Sequence, residues 1–132
     1  MRRSPVYRAV LKLFKNIDWK SGGYDGDSDR DETTNLDHAQ VISSEIRYCM
    51  GPHDWQGQHF VLLDLDVPAH LYPSSTPGHS HLYIEVPLTW DQYAPLLEML
   101  AQLGIVEPGF VKVSKKRKAT MLRLPWVKKE EG

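Results

Sequence analysis

Asp64-Leu65-Asp66 closes an apolar run, Val61-Leu62-Leu63, and is the first place where residue types and spacing suggest chemistry. On a strand, alternate side chains share a face, so both carboxylates would project together. Held side by side they repel unless a cation sits between them. An oxygen-only pair suits Mg²⁺ or Mn²⁺, which then takes phosphate oxygens. The ordinary alternative is two aspartates at a solvated strand edge. Downstream, Ser74-Ser75-Thr76-Pro77-Gly78-His79-Ser80-His81 offers small hydroxyl residues and a glycine, which let backbone approach a phosphate, and histidines that donate to its oxygens. It also reads as a polar turn with two surface histidines. A zinc site on His79 and His81 would need ligands from elsewhere.

Two charged stretches complete the set. Lys112, Lys115, Lys116, Arg117, Lys118 and Arg123 form a cationic run that suits phosphate contact, or else a solvated loop. Asp25, Asp27, Asp29 and Asp31 alternate as in a calcium loop, but the glycine and terminal glutamate of such a loop are missing. Trp19, Trp55, Trp90 and Trp126 would stack bases or serve the core, and their spacing singles out none.

These residues need elements to position them. Ser4-Pro5 is a helix start, and Val6, Val10, Leu13, Phe14 and Ile17 follow at helical spacing. Residues 20–35 have little to bury and read as an acidic, mobile loop. Residues 36–49 read as a second helix with Val41, Ile42, Ile46 and Cys49 on its apolar side, although the β-branched residues leave a strand open. His59 to Val67 reads as a central strand and His79 to Val86 as the next. Thr89 with Gln92 has capping-box spacing, Tyr93, Leu96, Leu97, Leu100 and Leu103 share a helical face, and Gly104 is a stop. Pro95 predicts an irregular first turn. Phe110 to Val113 and Ala119 to Leu124 read as closing strands around a basic loop, Ser114 to Lys118. The expected fold is α+β: a small mixed, largely antiparallel sheet with packed helices, in one domain over 1–132. Its first part, 1–58, is helical, and its core, 59–128, runs β-β-α-β-β.

Composition bounds the reading. The chain has 132 residues, a mass of 15.2 kDa and a formal net charge of -1, so any case for nucleic acid rests on local charge. No apolar run is long enough for a membrane span. Arg2 and Arg3, with Lys12, Lys15 and Asp18 close behind, argue against a secretory signal. A lone Cys49 gives no internal disulfide and suits a cytoplasmic setting.

In this order the segments resemble the archaeo-eukaryotic primase family, including the primase-polymerases of phages and plasmids. That family carries Asp-x-Asp on an apolar strand, then a small-residue turn leading into a histidine-bearing strand. Here these are LLDLDV (62–67) and SSTPGHSHLYI (74–84). Many phage and plasmid members add an arginine-x-proline segment ending in lysine, to which Leu122-Arg123-Leu124-Pro125-Trp126-Val127-Lys128 is similar. The resemblance spans residues 59–128. It implies a primase-like, RRM-like core and catalytic residues Asp64, Asp66 and His81. Mg²⁺ or Mn²⁺ would sit on Asp64 and Asp66, with Glu107 the one late acid for a third ligand. His81 would contact the triphosphate with Ser75 or His79 nearby, and Lys112 and Arg123 would contact phosphate. Lys115, Lys116, Arg117 and Lys118 would meet DNA or RNA. The implied chemistry is attack of a 3′-hydroxyl on the α-phosphate of a nucleoside triphosphate, with two metals stabilising the attacking and leaving oxygens.

Three functions therefore compete. The first is a small metal-dependent nucleotidyltransferase. The second is a non-catalytic module on the same fold that binds nucleotide, nucleic acid or a replication or defence protein. It draws on Ser-Lys-Lys-Arg-Lys standing where the family's third carboxylate is expected, and on Trp126 where a glycine is usual. The third is a phosphoesterase with a transition metal among His79, His81 and the aspartates. Self-association as a homodimer would let a partner chain complete a half-formed site.

Overall fold

The computed structural model describes residues 9–17, 30–49 and 51–128. The chain divides into two compact units, Met1–Asp64 and Leu65–Gly132. Its described sheets are antiparallel and its two described helices follow the five described strands, so the fold is a small α+β one. No described helix is long and apolar enough to cross a membrane.

In the first unit, β1 (Ala9–Lys15) runs between β2 (Asp31–Thr33) and β3 (Val41–Cys49) in a three-stranded sheet. Both long strands were expected to be helices. Ala9, Val10, Leu11, Leu13 and Phe14 carry apolar side chains on both faces, as a central strand does, and such a run satisfies helical spacing equally well. In β3 the β-branched residues Val41, Ile42 and Ile46 take the extended form that the sequence left open. The ladder pairs Leu13 with Ile42 and Ala9 with Cys49, with register shifts around Leu11. Ile46, 2% exposed, is the largest fully buried side chain among the described residues. At the end of β1, Asn16 adopts φ 54, a left-handed conformation that asparagine tolerates. Its Nδ2 donates to Asp31 Oδ2 at 2.9 Å, which ties the start of β2 to the sheet. The Ser4-Pro5 start and Asp25, Asp27 and Asp29 lie outside the described residues. Asp31 belongs to β2 rather than to a loop.

The expected central strand over His59–Val67 does not form. His59 makes a single bridge with Glu45, and Phe60 N–H donates to the Ser44 carbonyl at 2.9 Å. Beyond that point the backbone of residues 61–65 finds no ladder among the described residues. A strand needs a neighbour for its backbone groups, and an apolar pattern alone supplies none.

The second unit opens with a two-stranded sheet, β4 (Ala69–Pro73) and β5 (Ser80–Ile84), in unbroken antiparallel register from Ala69↔Ile84 to Pro73↔Ser80. β5 falls inside the expected strand. β4 was not expected, being short and flanked by Pro68. Helix α1 (Trp90–Gln102) begins at Thr89 with the reciprocal capping box to Gln92. It runs through Pro95, forgoing the one bond that residue's missing N–H would have given to Asp91. Leu97 is its buried residue, while Leu96 and Leu103 of the expected face are exposed. Gly104, at φ 78, makes the turn that follows. Helix α2 (Pro108–Arg117) replaces the expected strand Phe110–Val113 and the basic loop. Pro108 sits where a helix start tolerates it, Val111 and Ser114, three apart, are its buried residues, and the helix packs on α1. Residues 119–124 form no strand, so no described strand follows α1 and the order β-β-α-β-β is not reproduced.

Candidate functional site

The small-residue turn and the arginine-proline segment meet. Ser74 N–H donates to the His79 carbonyl at 3.0 Å, and His79 N–H donates to the Thr76 carbonyl at 3.1 Å, closing the β4–β5 connection. Gly78 there takes φ 81, a conformation that favours glycine. Ser74 Oγ accepts from Thr76 N–H at 3.1 Å, which fixes the stretch carrying Ser75. On the other side, Val127 N–H donates to the Leu124 carbonyl at 3.0 Å, a four-residue turn with Pro125 in its favoured second place. Arg123, just before that turn, donates from Nη1 to Ser75 Oγ at 3.2 Å across 48 residues of chain.

Ser75, His81 and Arg123 line one cleft together with Pro73, Ser74, Leu124, Pro125 and Val127. His81 is half-buried, while Ser75 and Arg123 are exposed. The hollow is open to solvent and has a volume of about 20 Å³, enough for one water. A phosphate oxygen fits such a hollow, whereas a whole nucleotide would lie across its mouth. Ser75 Oγ accepts from Arg123, so its own hydrogen is available to a ligand. Arg123 has no carboxylate partner among the described residues. Trp126, 76% exposed, is not part of the lining and leaves the cleft open.

The remaining expected site residues are not gathered there. Asp64 is exposed at the close of the first unit, and Asp66 is exposed in a bend that opens the second. Neither is on a strand, so the shared-face argument for the pair does not apply. Glu107 precedes α2 as its N-cap and makes no side-chain cap bond. No group of three or more His, Cys, Asp or Glu able to hold a metal ion occurs among the described residues. His79 is exposed beside β5 and serves the turn through its backbone.

The cationic run is helical. Lys112, Lys115 and Lys116 are exposed on α2, and Arg117 Nη1 lies 3.6 Å from Met121 Sδ. Lys118 is the left-handed C-cap at φ 55. Positive side chains in a last turn also complement the helix dipole. Lys115 pairs with Glu98 of α1. From Pro108 to Lys128 the chain carries seven lysines and arginines and no acid.

Several polar pairs went unforeseen. In the first unit Lys12 Nζ meets Glu45 Oε2 at 2.9 Å. That hydrogen bond is the main cause holding the Glu45 carboxyl below its ordinary range and the Lys12 ammonium above its own. Ser44 Oγ lies 2.8 Å from His59 Nδ1, and His70 Nε2 lies 2.7 Å from Glu85 Oε2 across the β4–β5 pair. Each depends on a strand register that spacing along the chain does not reveal. Lys15, Asn16, Ile17, His38 and Gln40 line a polar hollow at the end of β1.

No family model matches this chain, and no curated protein or solved structure matches it either.

Proposed function

We propose that this chain is a phosphate-recognising module whose second unit binds the phosphate groups of a nucleotide or nucleic acid without catalysis. The observation that carries this reading is the Arg123–Ser75 contact. It places a guanidinium, a hydroxyl with a free hydrogen and His81 around one small hollow. Arginine presents a planar fork of donors that matches phosphate oxygens, and a nearby hydroxyl and imidazole extend that donor set. The acid-free stretch from Pro108 to Lys128 adds long-range attraction for a polyanion.

The nucleotidyltransferase reading, with its primase-like core, would add Mg²⁺ or Mn²⁺ on Asp64 and Asp66. It draws on the sequence resemblance and on no further contact. The two readings separate in one experiment. Binding of a 5′-phosphorylated single-stranded oligonucleotide is followed by fluorescence anisotropy in wild type, Lys112→Ala/Lys116→Ala, and Asp64→Asn/Asp66→Asn. The module reading expects metal-free binding that weakens with salt and with loss of the lysines, and is unmoved by loss of the aspartates. Binding that requires Mn²⁺ and both aspartates would replace it with the metal-dependent reading.

A further inference from the structure

The β4–β5 sheet has only two strands, and a lone hairpin is marginal in water. Its two edges are not alike. Glu85 N–H donates to the Pro68 carbonyl and Ser74 N–H to the His79 carbonyl, so the mutually bonded pairs fall on the even residues of β4 and the odd residues of β5. The backbone groups of Ala69, Leu71 and Pro73 therefore point out of the β4 edge, and those of Ser80, Leu82 and Ile84 out of the β5 edge. On β4 that edge is blunted: Pro73 has no N–H and Pro68 precedes the strand. On β5 all three outward residues keep their N–H, and none has a backbone partner for it among the described residues. The same three residues share a face with Ala69 and Leu71, where Leu71, Leu82 and Ile84 are exposed.

We propose that the β5 edge pairs with β5 of a second copy of this chain, antiparallel about a two-fold axis at Leu82. The strand is self-complementary in that register. Leu82 faces Leu82 of the second copy, and Ser80 faces Ile84, whose carbonyl accepts from Val86 N–H at 2.9 Å and would take Ser80 N–H on its second lone pair. His79 comes opposite Glu85, whose Oε2 already meets His70 at 2.7 Å within its own hairpin, and no like charges are opposed. The two hairpins become one four-stranded sheet with its aliphatic side chains on one face and Tyr72 and Tyr83 on the other. His81, which lines the cleft, then stands across from Tyr83 of the second copy, so the two clefts open on the same side of the joined sheet.

The test uses the full chain. Light scattering over a concentration series should give twice 15.2 kDa at the high end. In a Cys49→Ser background, Leu82→Cys should form a reducible cross-linked dimer. Its Cα atoms would be about 5.5 Å apart in a bonded pair, within disulfide reach. Ser80→Cys, opposite Ile84, should not cross-link. Leu82→Pro removes only an outward N–H and should give a monomer with an unchanged circular dichroism spectrum. Leu82→Lys should do the same by charge repulsion if proline disturbs the hairpin. A wild type that stays monomeric at every concentration, or cross-linking as fast at Ser80→Cys as at Leu82→Cys, would overturn the proposal.

Discussion

The two units use charge differently. In the first, two cations are matched across the sheet, Lys12 with Glu45 at 2.9 Å and Arg47 with Glu32 at 3.5 Å, while Arg30 lies over the Phe14 ring and Lys15 has no carboxylate partner among the described residues. In the second, Lys115 has Glu98, but Lys112, Lys116, Lys118 and Arg123 have no carboxylate partner among the described residues. Arg123 meets only a hydroxyl. Charges neutralised within a sheet belong to the fold, whereas a guanidinium held by a serine keeps most of its attraction for an anion. The proposed recognition draws on the second unit because its unmatched cations are more numerous and one of them, Arg123, is held at a cleft.

Mutations can break or sharpen that contrast. The largest effect belongs to packing. Ile46→Ala should cost about 2–5 kcal/mol, because its methyl groups leave a cavity in a sheet with little other buried volume. Chemical denaturation measures the loss, and Arg123→Ala should leave that transition in place. Next comes Arg123→Ala itself, expected to weaken phosphate binding by about ten- to a hundredfold. This corresponds to losing charged hydrogen bonds of roughly 1.5–3 kcal/mol. An unchanged affinity would erase the contrast between the units.

Smaller effects test how each unit is held. Thr89→Ala removes the capping box of α1 and should cost about 1 kcal/mol, read from thermal unfolding, with phosphate affinity retained. The Lys12–Glu45 pair is half-buried at the sheet surface, where solvent still screens it, and should contribute least. Its sign with pH is fixed by the two shifts. The lowered Glu45 carboxyl stabilises the fold above the ordinary carboxylate range, and this is lost as pH falls through its folded value. The raised Lys12 ammonium stabilises below the ordinary lysine range, and this is lost as pH rises through its folded value. A Lys12→Met variant should therefore show a flatter stability profile at both extremes, and high salt should mask the difference.

What the sequence revealed followed from local signals. The capping box at Thr89 and Gln92, the stop at Gly104 and the alternation of β5 need no distant partner, and all three are present. The errors arose where a distant partner decides. Val10, Leu13 and Phe14 fit a helix until β2 and β3 flank them. Val61-Leu62-Leu63 fit a strand until no neighbour supplies a ladder. The lysines of 112–118 hid the short Val111–Ser114 spacing that seats α2. At the cleft, residue type marked the 74–81 turn and the cationic run that includes Arg123, and the family resemblance picked out Ser75, His81 and Arg123. Their convergence was not legible, because it depends on a hairpin turn and a proline turn meeting across 48 residues.

The central claim is tested most directly by calorimetric titration of a nucleoside triphosphate, without added metal, into wild type and Arg123→Ala. The account predicts saturable binding to the wild type and a loss of about tenfold or more in the variant. Equal binding by both proteins, or none by the wild type, would contradict it.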